Sequence, residues 1–165
     1  MVRVAIIADT HIPSRADEIP EWIREEIEVA DHTIHVGDFD AADTLEAVRD
    51  LAGGELTAVT GNMDPQLDLP SVTTVERGGM AFVVTHGTGD LEGYEERVAG
   101  VVREEAGDGP TVGVAGHTHR VLDTEVGGVR LLNPGSATGA EPAETATMMA
   151  AEVDDGDLDV TVRER

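Results

Sequence analysis

The sequence predicts an α/β fold in which two mixed sheets pack together and helices cover their outer faces. Apolar strand-like runs alternate with amphipathic helical stretches over residues 2–61, an order typical of a parallel sheet with right-handed crossovers. Hairpin signals dominate residues 71–164, and hairpins add antiparallel strands. The chain has 165 residues, enough to bury a core, and we expect one domain over residues 1–165.

Five elements are predicted in the parallel half. Strands are expected where β-branched and aliphatic residues run together, and helices where apolar residues recur every three or four positions, as at Ile23, Ile27 and Ala30. Pro20 suits a first helical position. In order, the elements are a strand over 2–8, a helix over 20–30, a strand over 32–37, a helix over 40–52 and a strand over 55–61.

The second half contains three hairpin signals, which turn at 77–79, 127–128 and 155–156. Between the first two, a helix is predicted over 91–107 and a strand over 111–116. The apolar stretch TATMMAA at 145–151 fits a core strand and a dimer interface equally well, so a homo-oligomer stays open.

The composition excludes several kinds of protein. There is no cysteine, which removes disulfides, thiolate metal sites and cysteine nucleophiles. The N-terminal apolar run is too short for a signal peptide or a membrane span, and no longer run follows. We therefore expect a cytoplasmic protein that has no membrane partner.

The charge balance is strongly acidic, with 34 acidic residues against 11 basic ones and a net charge of −23. Every basic residue is Arg. So much like charge repels itself at ordinary salt, but at molar salt the Debye length falls to about 3 Å and the repulsion is screened. The composition is typical of a halophilic archaeal protein, and the lack of a basic patch argues against a nucleic-acid partner.

Polar side chains follow five predicted strands at the point where each strand ends. Because the carboxyl ends of the strands form the rim where ligands bind in open α/β sheets, these side chains should converge. In three of the endings a glycine precedes the first donor, at Gly37, Gly61 and Gly116, which allows a sharp turn. The candidate donors are Asp9, His11, Asp38, Asn62, His86, His117 and His119.

Each donor taken alone has an ordinary structural interpretation. His86 fits a packed histidine, Asp38 a helix N-cap, and residues 62–64 a turn. His32 and His35 do not follow a strand and are interpreted as structural residues. Four of the six histidines nevertheless lie at strand ends among acids, a pattern that coincidence explains poorly.

The donor types also indicate the kind of metal. Carboxylate, imidazole and amide donors without thiolate suit borderline to hard divalent ions. Seven donors are too many for one tetrahedral zinc with an open position. They suit two ions about 3.5–4 Å apart that share one carboxylate. We expect two divalent ions, with Mn favoured and Fe, Zn, Ni or Co as alternatives.

The motifs DTH, GD, GNMD, THG and GHTH, in this order and after strands, resemble those of the calcineurin-like metallophosphoesterases. The similarity is greatest to the small single-domain archaeal and bacterial phosphodiesterase branch, which also has NPGS, here at 133–136. The resemblance spans roughly residues 2–136. It implies a four-layer α/β/β/α sandwich.

The resemblance also implies a role for each donor. The sets would be Asp9, His11 and His119 for one ion, Asn62, His86 and His117 for the other, and Asp38 as the bridge. A hydroxide held between the ions would be the nucleophile. Asp64 would orient a metal ligand or stabilise its own turn. Arg15 and Asn62 would contact the phosphate of a small phosphate-ester substrate, although Arg15 suits pairing with a surface acid equally well.

The resemblance has two departures. Met63 stands where many family members have a histidine that serves as a candidate proton donor, and methionine cannot donate a proton. The residues after NPGS also differ from the family pattern, so substrate contacts there do not transfer.

We predict a metal-dependent phosphodiesterase acting on a small phosphate diester, because the phosphodiesterase branch also lacks that histidine. One alternative is a phosphomonoesterase with the same centre. Another is a non-catalytic interaction scaffold, the role understood for the retromer subunit that resembles this family. Scaffolds tolerate the loss of ligands, whereas all seven positions here hold residues able to bind metal.

Overall fold

The computed structural model describes residues 1–164, which form ten strands and three helices. None of these helices has the length and apolar character needed to cross a membrane. In chain order the elements are β1 (Val2–Ile7), α1 (Glu21–Val29), β2 (His32–His35), α2 (Ala42–Leu51), β3 (Leu56–Ala58), β4 (Val72–Arg77), β5 (Met80–Thr85), α3 (Tyr94–Glu105), β6 (Thr111–Val114), β7 (Val121–Val126), β8 (Val129–Pro134), β9 (Thr147–Asp154) and β10 (Asp157–Glu164).

The strands form two mixed sheets of five strands each. The first has the order β10-β9-β1-β2-β3 and the second has the order β4-β5-β6-β8-β7. In the first sheet β1, β2 and β3 are parallel, and the β9–β10 hairpin adds antiparallel strands beside β1. In the second sheet β5, β6 and β8 are parallel, and β4 and β7 are antiparallel edge strands. The predicted pair of mixed sheets is confirmed.

Three apolar clusters determine how the layers stack. The first lies between the sheets and contains residues of both, such as Ile6 and Phe82. The second packs α1 and α2 against the outer face of the first sheet, where Ile7 meets Ile23. The third packs α3 against the second sheet through Val98. Ile6 and Ile7 of β1 thus pack into different layers, because successive side chains of a strand point to opposite faces of the sheet. The four-layer α/β/β/α order implied by the resemblance is confirmed.

The helices begin later than the sequence predicted. Pro20 caps α1 instead of opening it. α2 begins at Ala42 because Asp40 has a left-handed φ of 80° and donates its amide hydrogen to Asp64. α3 begins at Tyr94, after Gly93 with a φ of 75°. Asp40 is thereby free to join the loop that follows β2.

The apolar stretch at 145–151 belongs to the core. Met148 and Met149 are fully buried, one against the layer of α1 and α2 and the other between the sheets. β9 pairs on both sides, with β1 and with β10. Of the two roles left open by the sequence, residues 147–151 therefore fill that of a core strand.

Gly113 in β6 provides a test of the packing between α3 and the second sheet. A Cβ at this position would lie 2.5 Å from a methyl carbon of Val102 and 2.8 Å from one of Leu131. We expect Gly113→Ala to lower the free energy of unfolding by about 1–3 kcal/mol, the usual cost of overpacking. Gly100→Ala in α3 is the control, because a Cβ there meets no atom within 4 Å and alanine favours helix. Urea unfolding measures the free energy of unfolding of both variants. Equal values would contradict the close packing of Gly113 against Val102 and Leu131.

Candidate metal centre

Seven polar side chains from the ends of five strands converge at one place. Four of them follow β1, β2 and β3 of the first sheet, and three follow β5 and β6 of the second. The set contains every metal donor predicted from the sequence: Asp9, His11, Asp38, Asn62, His86, His117 and His119. The site therefore spans both sheets of the sandwich.

The first group of donors is buried. It consists of Asp9, His11, Asp38 and His119, and their donor atoms lie within 4.8 Å of one another. The Nε2 atoms of His11 and His119 are 3.1 Å apart, and Asp9 Oδ1 lies 3.7 Å from His119 Nε2. Donor atoms at these separations fit the shell of a single ion whose bonds are about 2.0–2.2 Å long.

The second group is more open to solvent. The donor atoms of Asp38, His86 and His117 again lie within 4.8 Å of one another. Asn62 joins them, because its Oδ1 is 3.1 Å from both His86 Nε2 and His117 Nδ1. Asp38 belongs to both groups, since its Oδ2 lies 3.4 Å from His11 Nε2 and 3.1 Å from His86 Nε2. The donors thus fall into two groups that share one carboxylate.

Each donor imidazole turns one nitrogen away from the centre, toward a protein oxygen. The pairs are His11 Nδ1 with Asp40 Oδ1 at 2.9 Å, His86 Nδ1 with Val36 O at 2.6 Å, His119 Nδ1 with Ala140 O at 2.9 Å, and His117 Nε2 with Gly89 O at 2.9 Å. Because a carbonyl or carboxylate oxygen only accepts, each neutral ring carries its proton on the outward nitrogen.

The inward nitrogens are consequently acceptors, and they face one another and the oxygens of Asp9, Asp38 and Asn62. Buried acceptors that face acceptors repel unless a cation lies between them. The outward hydrogen bonds are also those that orient histidines in metal sites. These residues therefore fit a divalent metal ion.

In the metal-free protein, protons replace part of the missing positive charge. Burial raises the pKa of Asp9 to about 8, although the charge of His86 opposes the shift. Burial alone would also raise the pKa of Asp38, but the hydrogen bond and charge of His86 hold it below its ordinary value. Burial would lower the pKa of His86, yet its contacts with Asp38 and Asp9 raise it. The raised pKa values of Asp9 and His86 mean that these two groups tend to keep a proton in the place where a metal ion would bring positive charge.

Asp64 holds together the loops that carry Asp38 and Asn62. Its carboxylate accepts three backbone N–H groups, from Gly61 at 2.8 Å, Asp38 at 3.0 Å and Asp40 at 2.8 Å. Gly61 allows the loops to approach, because a Cβ there would collide with the Asp38 carboxylate. Asp64 therefore positions a metal donor through the backbone and fixes its own turn at the same time.

Asp40 is a functional candidate that the sequence pattern did not single out. One carboxylate oxygen accepts from His11 Nδ1, and the other accepts from the Ser14 hydroxyl. The sequence predicted a helix start here, and the available signal was the second Asp of GDFD, two residues after Asp38. A carboxylate on the outward nitrogen of a metal-binding histidine fixes the ring and raises its basicity.

Residues 133–136, the NPGS motif, support two of the donor loops. Asn133 Nδ2 donates to Gly116 O at 3.1 Å, just before the two donor histidines that follow β6. The Ser136 hydroxyl donates to Asp9 O at 2.7 Å. The sequence offered this motif only as a family feature, and its contacts now give it a physical role.

Arg15 lies beside the centre, in an open groove that also contains Glu141 and Glu144. Its Nη1 donates to Glu141 O at 2.7 Å. This partner is a backbone carbonyl and not the carboxylate that the alternative interpretation required. Its backbone N–H donates to His11 O at 2.9 Å, which places Arg15 close to the first donor group.

The remaining residues discussed from the sequence lie outside the donor groups. His32 begins β2, and its Nε2 is 2.7 Å from the hydroxyl of Thr57. His35 is the last residue of β2, whereas the predicted strand continued for two more residues, and it is fully buried. Met63 is 46% exposed, and its amide donates to Asp38 Oδ1.

Comparisons with known proteins identify the family. Residues 2–156 match the calcineurin-like phosphoesterase superfamily domain. The chain belongs to the calcineurin-like phosphoesterase superfamily. Two curated relatives are probable metallophosphoesterases from Methanocaldococcus jannaschii and Methanothermobacter thermautotrophicus. Each is 33% identical and matches 82% of this chain, over 68% and 77% of its own length respectively.

Among solved structures, a single-residue variant of Vps29 from Entamoeba histolytica is similar along its whole length. It is 26% identical, covers 99% of both chains and has a TM-score of 0.77. The fold of this phosphoesterase superfamily member is therefore shared with proteins named as metallophosphoesterases and with Vps29.

Asp40 gives a test of the outward hydrogen bonds. We expect Asp40→Ala to weaken Mn²⁺ binding by about 10- to 100-fold, the range typical when the partner of a metal-binding histidine is removed. Isothermal titration of the metal-free protein measures the dissociation constant. Asp43→Ala, at an exposed position in α2, is the control. Equal Mn²⁺ affinities in the two variants would show that Asp40 does not position His11.

Asp9 should make the stability of the metal-free protein depend on pH. Its pKa is about 8 in the folded state against an ordinary value of 3.8, so between these values only the folded state holds the proton. Its contribution to stability is fully present below about pH 4 and is lost as the pH rises to about 8.

Asp9→Asn cannot ionise, so its stability relative to the unsubstituted protein should rise with pH. We expect a gain of up to about 1.4 kcal/mol per pH unit between about pH 5 and about pH 7.5. Urea unfolding in EDTA measures both proteins. A difference that stays constant with pH would contradict a raised pKa at Asp9.

Proposed function

We propose that the protein is a phosphodiesterase that uses two divalent metal ions, Mn²⁺ first among them, to hydrolyse a small phosphate diester. The observation that carries this proposal is the inward-facing set of acceptor atoms, which divalent cations would satisfy and protons replace only in part. Its division into two groups that share Asp38 supports two ions with a bridging carboxylate.

Two ions in such a site supply an activated water molecule and neutralise charge on the phosphate during in-line displacement. The contribution of the protein is to hold the donor atoms in place before the substrate arrives. Oxygens of Asp40, Val36 and Ala140 accept the outward protons and so fix the rings. The proposed sets are Asp9, His11 and His119 for one ion, Asn62, His86 and His117 for the other, and Asp38 for both.

Asn62 and Arg15 are the proposed substrate contacts. Asn62 directs its Oδ1 toward the donor histidines, which leaves its amide NH₂ on the solvent side of the more open group. Arg15 uses one N–H for the Glu141 carbonyl and keeps other donors of its planar fork for a phosphate oxygen.

A diester fits these surroundings better than a monoester. Met63 is exposed next to Asn62 and cannot protonate a poor leaving group. Glu141 and Glu144 also place two carboxylates in the groove beside Arg15. A diester carries one negative charge at neutral pH and a monoester close to two, so the carboxylates of this groove repel a diester less. A phosphomonoesterase with the same centre is the alternative.

A protein-interaction scaffold is the alternative from another class. The similarity to Vps29 from Entamoeba histolytica, over 99% of both chains, favours a fold able to serve that role. The complete donor set favours the enzyme, because a docking surface has no need of acceptors that face one another.

We also propose that residues 1–165 act as one domain in the salt-rich cytoplasm of a halophilic archaeon. The net charge of −23 supports this setting, because molar salt screens the repulsion that such a charge produces. Activity is therefore best measured in molar KCl.

The test compares hydrolysis of bis(4-nitrophenyl) phosphate and 4-nitrophenyl phosphate in molar KCl with Mn²⁺. We expect faster turnover of the diester. Asp38→Ala and His86→Ala should each lower kcat/KM by more than about 100-fold, beyond the range typical of residues outside the ligand set. Asp123→Ala is the control, since this residue forms an exposed ion pair with Arg130 on the β7–β8 hairpin.

Two results would redirect the proposal. Dominant turnover of the monoester would replace it by the phosphomonoesterase. Bound Mn²⁺ without turnover of either ester would favour the scaffold.

A further inference from the structure

His35 contacts both of the loops that follow β1 and β2, and it is fully buried. Its Nδ1 accepts the backbone N–H of Gly37 at 3.1 Å. Because that group only donates, the ring proton lies on Nε2, which donates to the Thr10 hydroxyl at 3.2 Å. Burial lowers the pKa of His35 to about 3, so the ring is neutral at neutral pH.

Thr10, also fully buried, lies between two of the donors in the loop after β1. Its hydroxyl accepts from His35 and directs its own proton to Asp38 O at 3.5 Å, the long limit for a hydrogen bond. Phe39 stacks on the His35 ring with the ring centroids 3.6 Å apart. A hydroxyl and a histidine thus connect the loop after β1 with the loop after β2.

Both loops hold donors in a backbone conformation that residues with a Cβ rarely adopt. The φ angle is 52° at Asp9, 45° at His11 and 63° at Asp38. Such conformations persist only where the surrounding contacts determine them. Loss of a contact that connects both loops should therefore move the donors and not merely loosen the core.

We propose that Thr10 and His35 are a positioning pair that sets the affinity of the first donor group for a divalent metal ion. This inference rests on the proposed function only in requiring that the centre bind metal. It assigns His35 a role beyond the structural one that the sequence suggested, although neither residue contacts the ion.

The chain contains a matched control pair at the opposite end of the same strand. His32 opens β2 as His35 closes it, and its Nε2 also lies at hydrogen-bond distance, 2.7 Å, from a threonine hydroxyl, that of Thr57. Both pairs involve a buried histidine of β2, but only the pair at Thr10 reaches the donor loops.

The experiment measures Mn²⁺ binding by isothermal titration for Thr10→Val and Thr57→Val, together with thermal unfolding in EDTA. Valine keeps the shape of threonine and removes the hydroxyl. We expect Thr10→Val to raise the dissociation constant about tenfold, the lower end of the range for residues behind a metal ligand. Thr57→Val should stay within about twofold, because it shares no partner with the centre. Both should lower the unfolding midpoint, and Thr10→Val by at least as much as Thr57→Val, because Thr10 is fully buried and Thr57 only partly.

Thr10→Ser restores the hydroxyl and should restore Mn²⁺ affinity, which a purely packing role for the Thr10 methyl group would not allow. If Thr10→Val does not fold, Thr10→Ala removes the same hydroxyl without branched bulk and takes its place. Unchanged affinity in the variant without the hydroxyl, or an equal loss in Thr57→Val, would overturn the inference alone. Absence of Mn²⁺ binding by the unsubstituted protein would instead overturn the proposed metal centre, and this inference with it.

Discussion

The centre depends on a backbone constraint that recurs at the ends of the strands. Five of the seven proposed donors have a φ between 45° and 74°, namely Asp9, His11, Asp38, His117 and His119. For residues with a Cβ such a conformation costs on the order of 1–3 kcal/mol each. Backbone hydrogen bonds between loops offset part of this cost. Asp9 N donates to Gly37 O and His11 N to Asp38 O, each at 3.0 Å, so the first two loops hold each other.

The donor loops also form contacts between the two sheets. The packing of the core between the sheets therefore sets the distances between the donors. His86 follows β5 in the second sheet, yet its Nδ1 donates to Val36 O at the end of β2 in the first. The amide of His117, after β6, donates to the Asp9 carboxylate after β1 at 3.1 Å. The distance between the sheets is set by apolar residues such as Ile6 and Phe82. A close-packed interior of this kind has low compressibility and therefore resists changes in the distance between the sheets.

The sequence predicted the sheets and the candidate donors for the same physical reason. A strand with β-branched and aliphatic residues ends where polar residues begin, and the carboxyl ends of parallel strands share one rim. Asp9 and His86 can therefore be recognised as candidate donors from the residues that precede them in the sequence. Asp40 is not, because its role arises from a contact with His11, 29 residues away. The contact between Thr10 and His35 also joins residues far apart in the sequence, so the sequence does not reveal it. The helix that periodicity predicts from residue 40 begins later, because the backbone N–H of Asp40 donates to Asp64 instead.

The same fold occurs in proteins named as metallophosphoesterases and in Vps29, so the fold by itself does not distinguish an enzyme from a scaffold. The orientation of the donor imidazoles favours the proposed enzyme. Four imidazoles donate outward to protein oxygens, which leaves their inward nitrogens as acceptors facing other acceptors. Each buried acceptor without a partner costs about 1–3 kcal/mol. A surface that served only for docking would be more stable with apolar or mutually paired side chains at these positions. Cations at the centre would relieve this repulsion, which supports the proposed hydrolysis of a phosphate ester.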